Sequence, residues 1–196
     1  MVRSWRDAIE SAFAYRENAE DLRSIVSALY AKRAWNFGDI LNAELSGLLL
    51  AASACSNLFA VAQERLQARL QTDQEQRLIF PFATDAILSA YNALMIFRSP
   101  EGHHILGAVS QASIVDTFQL ELPRTVDAGD AIRHHHDRAF GRYRGQKRSE
   151  TRQMISHFGS SLNLTDRDLS EFTYDFSPER VKRLLSAIRD HLYRNQ

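Results

Sequence analysis

The chain has 196 residues, with 24 basic and 24 acidic side chains and a formal net charge of zero. This length suits one domain with a substantial core. The balanced charge excludes a whole-protein field that would draw the chain to nucleic acid or membrane, so any such attraction must be local.

The cysteine content and the distribution of apolar residues bound the cellular environment. The sole cysteine, Cys55, excludes an intrachain disulfide and is typical of a reducing compartment. The first seven residues carry charges where a signal peptide needs its apolar core. The longest apolar stretch, around residues 48–54, is too short to span a bilayer. We therefore expect a cytoplasmic protein without membrane association.

Apolar residues spaced by three and four predict helices through the first half of the chain. We expect them over about 4–33, 39–70 and 83–97, separated by a break at Trp35-Asn36-Phe37-Gly38 and by a polar loop at 71–76. The second helix is apolar on nearly every side around residues 48–52. This pattern predicts that the second helix lies at the centre of the core.

The sequence pattern in the second half of the chain predicts a short β-strand between further helices. Phe118, Leu120 and Leu122 alternate with polar residues, which indicates a strand within about 109–122. Helices are expected over 127–140 and 147–158, and a last helix starts after Ser177-Pro178, a capping serine followed by a proline at the first helical position. The predicted fold is mainly α: one helical bundle with a small β element, forming a single domain over 1–196.

One pair of residues has the chemistry needed to cleave a phosphodiester without a metal. Arg98 ends the third predicted helix, and His103 follows five residues later. An arginine can bind a phosphate with two parallel hydrogen bonds, and a histidine takes and gives protons near neutrality. Pro100 and Gly102 predict a turn between them, which would let both side chains face one cleft. The alternative is a solvated cation at a helix end beside a surface histidine.

A basic segment later in the chain could bind nucleic acid. Residues 131–152 hold seven Lys/Arg against two carboxylates, which concentrates positive potential in a neutral protein. The candidate RNA-binding residues are Arg133, Arg138, Arg142, Arg144, Lys147 and Arg148. A solvated, salt-bridged helix face is the alternative. The run His134–His136 would point its rings in three directions about 100° apart on a helix, so we predict no metal site and no cofactor.

The order of these elements resembles the HEPN superfamily (higher eukaryotes and prokaryotes nucleotide-binding domains). The resemblance covers about 39–117: a long helix from Asn42, a shorter helix ending in Phe97-Arg98, four intervening residues, His103, and then the segment 110–117. The hallmark of that superfamily is an arginine, four to six residues, and a histidine. By this likeness the chain would be a helical bundle.

The resemblance implies a function as well as a fold. HEPN domains commonly dimerise, and active members cleave RNA without metal where two motifs meet across the dimer; many are toxins of toxin–antitoxin or phage-defence systems. Arg98 would bind the scissile phosphate, and His103 would act as general base or acid. We therefore expect a homodimer with an RNA substrate and with an antitoxin or defence-complex protein as partner.

A departure from the family pattern keeps a second interpretation open. Active members usually carry a polar residue, often asparagine, after the arginine, whereas this chain has Ser99 followed by Pro100. Proline disfavours helical geometry in the residue before it. The alternative function is therefore a catalytically inactive HEPN-like module that binds a protein partner or RNA.

Overall fold

A computed structural model describes residues 3–134, 142–143, 146–147, 156–165 and 170–194, with side chains in 3–134, 159–165 and 170–194. The helices within these residues are α1 (Trp5–Glu17), α2 (Glu20–Ala31), α3 (Trp35–Gln67), α4 (Asp73–Arg98), α5 (Pro100–Leu106), α6 (Ala108–Glu121), α7 (Thr125–Arg133) and α8 (Pro178–Arg194). The strands are β1 (Arg142–Tyr143), β2 (Gln146–Lys147), β3 (Ser156–Phe158), β4 (Ser161–Thr165) and β5 (Glu171–Asp175).

The long helix α3 forms the centre of the bundle. It packs along α4 and also contacts α1, α2 and α8. Leu41, Leu45, Leu48 and Leu58 recur along it and are fully buried, as expected for a helix that is apolar on several faces. The central position predicted from the sequence is therefore confirmed.

The β element lies near the C-terminal end of the chain and closes one side of the core. Strands β3, β4 and β5 form an antiparallel sheet in that order, and β1 pairs with β2. Leu162 and Leu164 alternate with half-buried residues along β4, which is the pattern of a sheet with one covered face. The thiol of the fully buried Cys55 donates a hydrogen bond of 2.7 Å to the Gly159 carbonyl, which joins α3 to the β3–β4 turn.

The mainly α fold with a small β element is confirmed, but the predicted position of that element at 109–122 is wrong. Residues 108–121 form α6. Its buried residues include Ile114, Thr117 and Phe118, at spacings of three and four, while Leu120 is 74% exposed. The apparent alternation arose because Leu120 belongs to the solvent side of a helix.

Several predicted boundaries also differ from the structure. Residues 4–33 form two helices rather than one, and residues 35–38 begin α3 instead of interrupting the chain. The helix expected over 127–140 runs from Thr125 to Arg133 within the described residues, and 135–140 lie outside them. Of the helix expected over 147–158, Lys147 belongs to β2 and 156–158 form β3, while 148–155 lie outside the described residues. The start of the last helix at Pro178 is confirmed.

Helix α4 begins ten residues earlier than predicted because Pro81 does not end it. A proline inside a helix costs about 3 kcal/mol, since it removes one backbone hydrogen bond and crowds the preceding turn. Ile79, Ala83 and Ile87 on the two sides of the proline are buried in the core. Their packing offsets the cost, so the helix continues.

By length and composition, α3 and α4 could each cross a membrane, although the protein itself buries 61% and 39% of their apolar windows. Core helices of soluble proteins pass the same test. The cytoplasmic location stays a prediction.

Candidate functional site at the junction of helices 4 and 5

Arg98 and His103 lie on two consecutive helices that a single extended residue separates. Arg98 is the last residue of α4, and Ser99 has φ −68° and ψ 157°. Pro100 then occupies the first position of α5, where its missing N–H and its fixed φ are favourable. The predicted turn between Arg98 and His103 is therefore wrong, because residues 100–106 are helical and only Ser99 is extended.

Ser99 joins the two helices through its side chain. Its hydroxyl donates a hydrogen bond of 2.7 Å to the Ile96 carbonyl and accepts one of 2.9 Å from the Gly102 N–H. In a continuous helix the Ile96 carbonyl would bond to the N–H of residue 100, which is a proline; here it accepts from the Ser99 hydroxyl and from the Ser99 N–H at 3.2 Å. The bond from the Gly102 N–H caps the N-terminus of α5. One serine thus compensates for the interruption that Pro100 causes in the helix.

Gly102 permits the close approach of the two helices. A Cβ on this residue would lie 2.6 Å from the Phe97 carbonyl oxygen and 2.8 Å from that of Ile96. Both atoms belong to the backbone, so they cannot rotate out of the way. Only a residue without a side chain fits here with the present helix positions.

Gln111 links the histidine to the end of α4. Its side-chain nitrogen donates to the Phe97 carbonyl at 2.7 Å and to the Ser99 carbonyl at 3.2 Å. Its side-chain oxygen lies 3.0 Å from Nδ1 of His103. Gly107, which has φ +79°, turns the chain between α5 and α6 and so returns Gln111 to the junction. The carbonyls that Gln111 binds are those on either side of Arg98.

Sequence analysis did not single out Gln111. Gln111 lies about one helical turn after Gly107. The sequence would have placed it near the end of α4 only if residues 108–121 had been predicted as a helix that begins after this glycine. The misassignment of 109–122 as a strand removed this signal.

Both proposed catalytic side chains are exposed to solvent. The guanidinium of Arg98 forms no hydrogen bond or ion pair with any residue whose side chain the structure describes. The contact with Gln111 involves Nδ1 of His103 and not Nε2. The two residues are brought to one junction, and the hydrogen bonds that fix this junction act on the backbone beside Arg98 and on the imidazole of His103.

An apolar groove of about 470 Å³ adjoins the junction, between α3 and α4. Phe37 and Ile96 contribute to its lining, together with Ile40 and Met95, which are 55% and 42% exposed. Trp35, on the first turn of α3, is 63% exposed. On the polar side of the groove, Asn92 donates a hydrogen bond of 3.3 Å to Glu44. Ser99 and Glu101 also contribute to the lining, so the groove extends to the start of α5.

The basic segment is only partly described. Arg133 ends α7 and lies over the ring of Tyr91 at 5.3 Å, a cation–π geometry. Its guanidinium is exposed at the surface. The remaining predicted RNA-binding side chains lie outside the described residues: Arg138, Arg142, Arg144, Lys147 and Arg148.

No protein-family model, curated protein or solved structure matches the chain.

Proposed function

We propose that the protein is a HEPN-type, metal-independent endoribonuclease, with Arg98 and His103 as its catalytic residues. The observation that carries the proposal is the junction between α4 and α5. An exposed arginine and an exposed histidine flank a junction that Ser99, Gly102 and Gln111 connect through hydrogen bonds and close packing. Such rigidity around reacting groups is what catalysis by positioning requires.

The chemistry follows from the two side chains. His103 removes the proton from a ribose 2′-hydroxyl, and the oxygen attacks the adjacent phosphorus. The bond to the 5′-oxygen breaks, and that oxygen takes a proton from solvent, leaving a 2′,3′-cyclic phosphate and a free 5′-hydroxyl. Arg98 neutralises the charge that develops on the phosphoryl oxygens. The base contributes about 10²–10⁴-fold to the rate.

A cleavage assay with matched variants tests this mechanism. Single-stranded RNA is incubated with the protein in the presence of a chelator, and the products are examined for cyclic phosphate ends. His103→Ala should lower the rate about 10²–10⁴-fold, whereas His104→Ala, which alters the exposed neighbour on the same helix, should leave it unchanged. Cleavage by His103→Ala at the native rate, or no cleavage by the native protein of any RNA, would refute the proposal.

A second exposed arginine on the same helix provides a control for the role of Arg98. Arg98→Ala should lower the rate about 10²–10³-fold, the effect of removing one group that stabilises developing charge. Arg77 is likewise an exposed arginine on α4, and Arg77→Ala should have no effect. Equal losses in both variants would show that general positive charge, and not the position of Arg98, matters.

The same proposal includes a homodimer that covers the groove beside Arg98. Exposed apolar side chains clustered on one surface favour a protein contact, and Ile40 and Met95, which are both exposed, line this groove together. Light scattering coupled to gel filtration should give a dimer for the native chain and a monomer for Ile40→Asp. Val109→Asp is the control, because Val109 is 77% exposed on α6. A native monomer at micromolar concentration would contradict the dimer.

A catalytically inactive partner-binding module is the second candidate, and the backbone of Ser99 favours it. In active HEPN members this position belongs to a helical turn, whereas here it is extended. This candidate predicts no RNA cleavage and the same binding to an antitoxin or defence-complex protein in the native chain and in Arg98→Ala/His103→Ala. Loss of binding in that double variant would argue against it.

A further inference from the structure

We propose that Gln111 is a positioning residue that holds His103 in the tautomer protonated on Nδ1, so that Nε2 is the nitrogen that takes the proton. This inference rests on the proposed function for the role of His103 as base. The tautomer itself follows from the hydrogen bonds and can be measured without any activity.

The orientation of the Gln111 amide is the first step. Two carbonyl oxygens, of Phe97 and Ser99, lie 2.7 and 3.2 Å from its nitrogen. A carbonyl can only accept a hydrogen bond. If the amide were reversed, its oxygen would face two other acceptors. The Phe97 carbonyl would lose the donor that Gln111 supplies, and the Ser99 carbonyl would keep only the His103 N–H at 3.0 Å. The amide nitrogen must therefore point to the end of α4.

The protonation of His103 is the second step. With its nitrogen turned towards α4, the amide presents its oxygen to Nδ1 of His103 at 3.0 Å. This oxygen has no proton to give, so Nδ1 must carry the hydrogen and donate it. In the neutral ring only one nitrogen is protonated, and Nε2 consequently keeps its lone pair.

The position of this contact suits a base. The ring of His103 is exposed, and its bonded edge faces Gln111, so Nε2 is the nitrogen left for a ligand. When Nε2 takes a proton, both ring nitrogens become donors and the bond from Nδ1 to Gln111 is retained. The ring can therefore accept a proton without turning, which keeps it aligned during the reaction.

The tautomer is measured by nitrogen-15 NMR of the full chain at a pH where the ring is neutral. The signals of His103 are assigned by their absence in His103→Asn. We expect the Nδ1 signal of a protonated nitrogen and the Nε2 signal of an unprotonated one. Gln111→Met, which fills similar space without an amide, should shift the ring to the Nε2-protonated form that free histidine prefers. His104, on the same helix, is the internal reference and should show no change.

Kinetics provide the second measurement. Gln111→Met should lower kcat about 10- to 100-fold and leave KM unchanged, a smaller loss than removal of the base. Gln111→Glu keeps an acceptor for Nδ1 and should retain the tautomer, even though it loses the donor to α4. If Gln111→Met unfolds, the tautomer of His103 can still be measured by NMR in Gln111→Glu, where it should be the native one.

The outcomes separate the two proposals. A native His103 protonated on Nε2, or the same tautomer in native and Gln111→Met protein, overturns the role of Gln111. A Gln111→Met enzyme with native kcat overturns it as well. If the tautomer is as expected but no RNA is cleaved, the ribonuclease proposal fails while the assignment of the ring nitrogens stands.

Discussion

Replacing Gly102 with alanine tests whether the α4–α5 junction is as tight as the structure indicates. The added methyl carbon would lie 2.6 Å from the Phe97 carbonyl oxygen and 2.8 Å from that of Ile96. To reach ordinary van der Waals contact at 3.4 Å, α5 would have to move by about 0.8 Å. This shift would strain the cap between Ser99 and residue 102, and it would displace His103 from Gln111.

The expected cost can be worked from two opposing effects. Forcing an extra methyl group into a packed site costs about 1–3 kcal/mol. Alanine is better than glycine inside a helix by about 0.5–1 kcal/mol. The free energy of unfolding should therefore fall by about 1.3 kcal/mol, the middle of a range of about 0–2.5 kcal/mol, which corresponds to a Tm about 3–5 °C lower for a chain of this size.

Thermal unfolding followed by circular dichroism measures this difference, with Gly47→Ala as the matched control. A Cβ at Gly47, also helical, would meet the hydroxyl of Ser89 at 2.9 Å. That hydroxyl lies at the end of a side chain and can rotate away. Gly47→Ala should leave Tm unchanged or raise it, so equal Tm values for the two variants would refute the argument from the junction.

Three further predictions concern the core and the helix packing. Burial raises the pKa of Cys55 to about 12 from its ordinary value near 9. Ellman's reagent at pH 8 should therefore react about 10³-fold more slowly with the native protein than with the unfolded chain. Equal rates would mean that the thiol is accessible. Gly129→Ala should lower the free energy of unfolding by about 1–2 kcal/mol in urea denaturation, because its Cβ would lie 2.3 Å from the ring of Tyr91; native stability would show that the ring can yield. Thr125→Val should lower the free energy of unfolding by about 1–3 kcal/mol in the same assay, and by more than Tyr174→Phe does. The reason is that valine leaves the buried Tyr174 hydroxyl without the Thr125 hydroxyl at 2.9 Å. A larger loss for Tyr174→Phe would contradict this order.

The helical bundle could be predicted from the sequence where the apolar period was long and regular. The long run around Leu48 and the amphipathic pattern after Pro178 gave correct helices because burial of one face dominates such segments. Short segments were less certain. In α6 the solvent-exposed Leu120 produced an alternating apolar pattern that is typical of a strand. In α4 the packing of the core offset the tendency of Pro81 to end a helix.

The candidate site was predictable only in part. Arg98 and His103 could be selected from their chemistry and spacing, because neither depends on a distant residue for its identity. Gln111 could not, because its role depends on the return of α6 to the end of α4. A contact across twelve or fourteen residues, such as that of Gln111 with Ser99 or Phe97, is set by how the helices pack and not by local preference.

The proline after Ser99 need not oppose catalysis. On one continuous helix, residues five apart point about 140° away from each other around the axis, so Arg98 and His103 would face different directions. The extended backbone of Ser99 ends α4 and starts α5 with a new axis. The relative orientation of the two residues is then set by that backbone, by the close contact at Gly102 and by the bonds of Gln111. Under the proposed function, this junction takes the place of the helical period, and cleavage would depend on its rigidity.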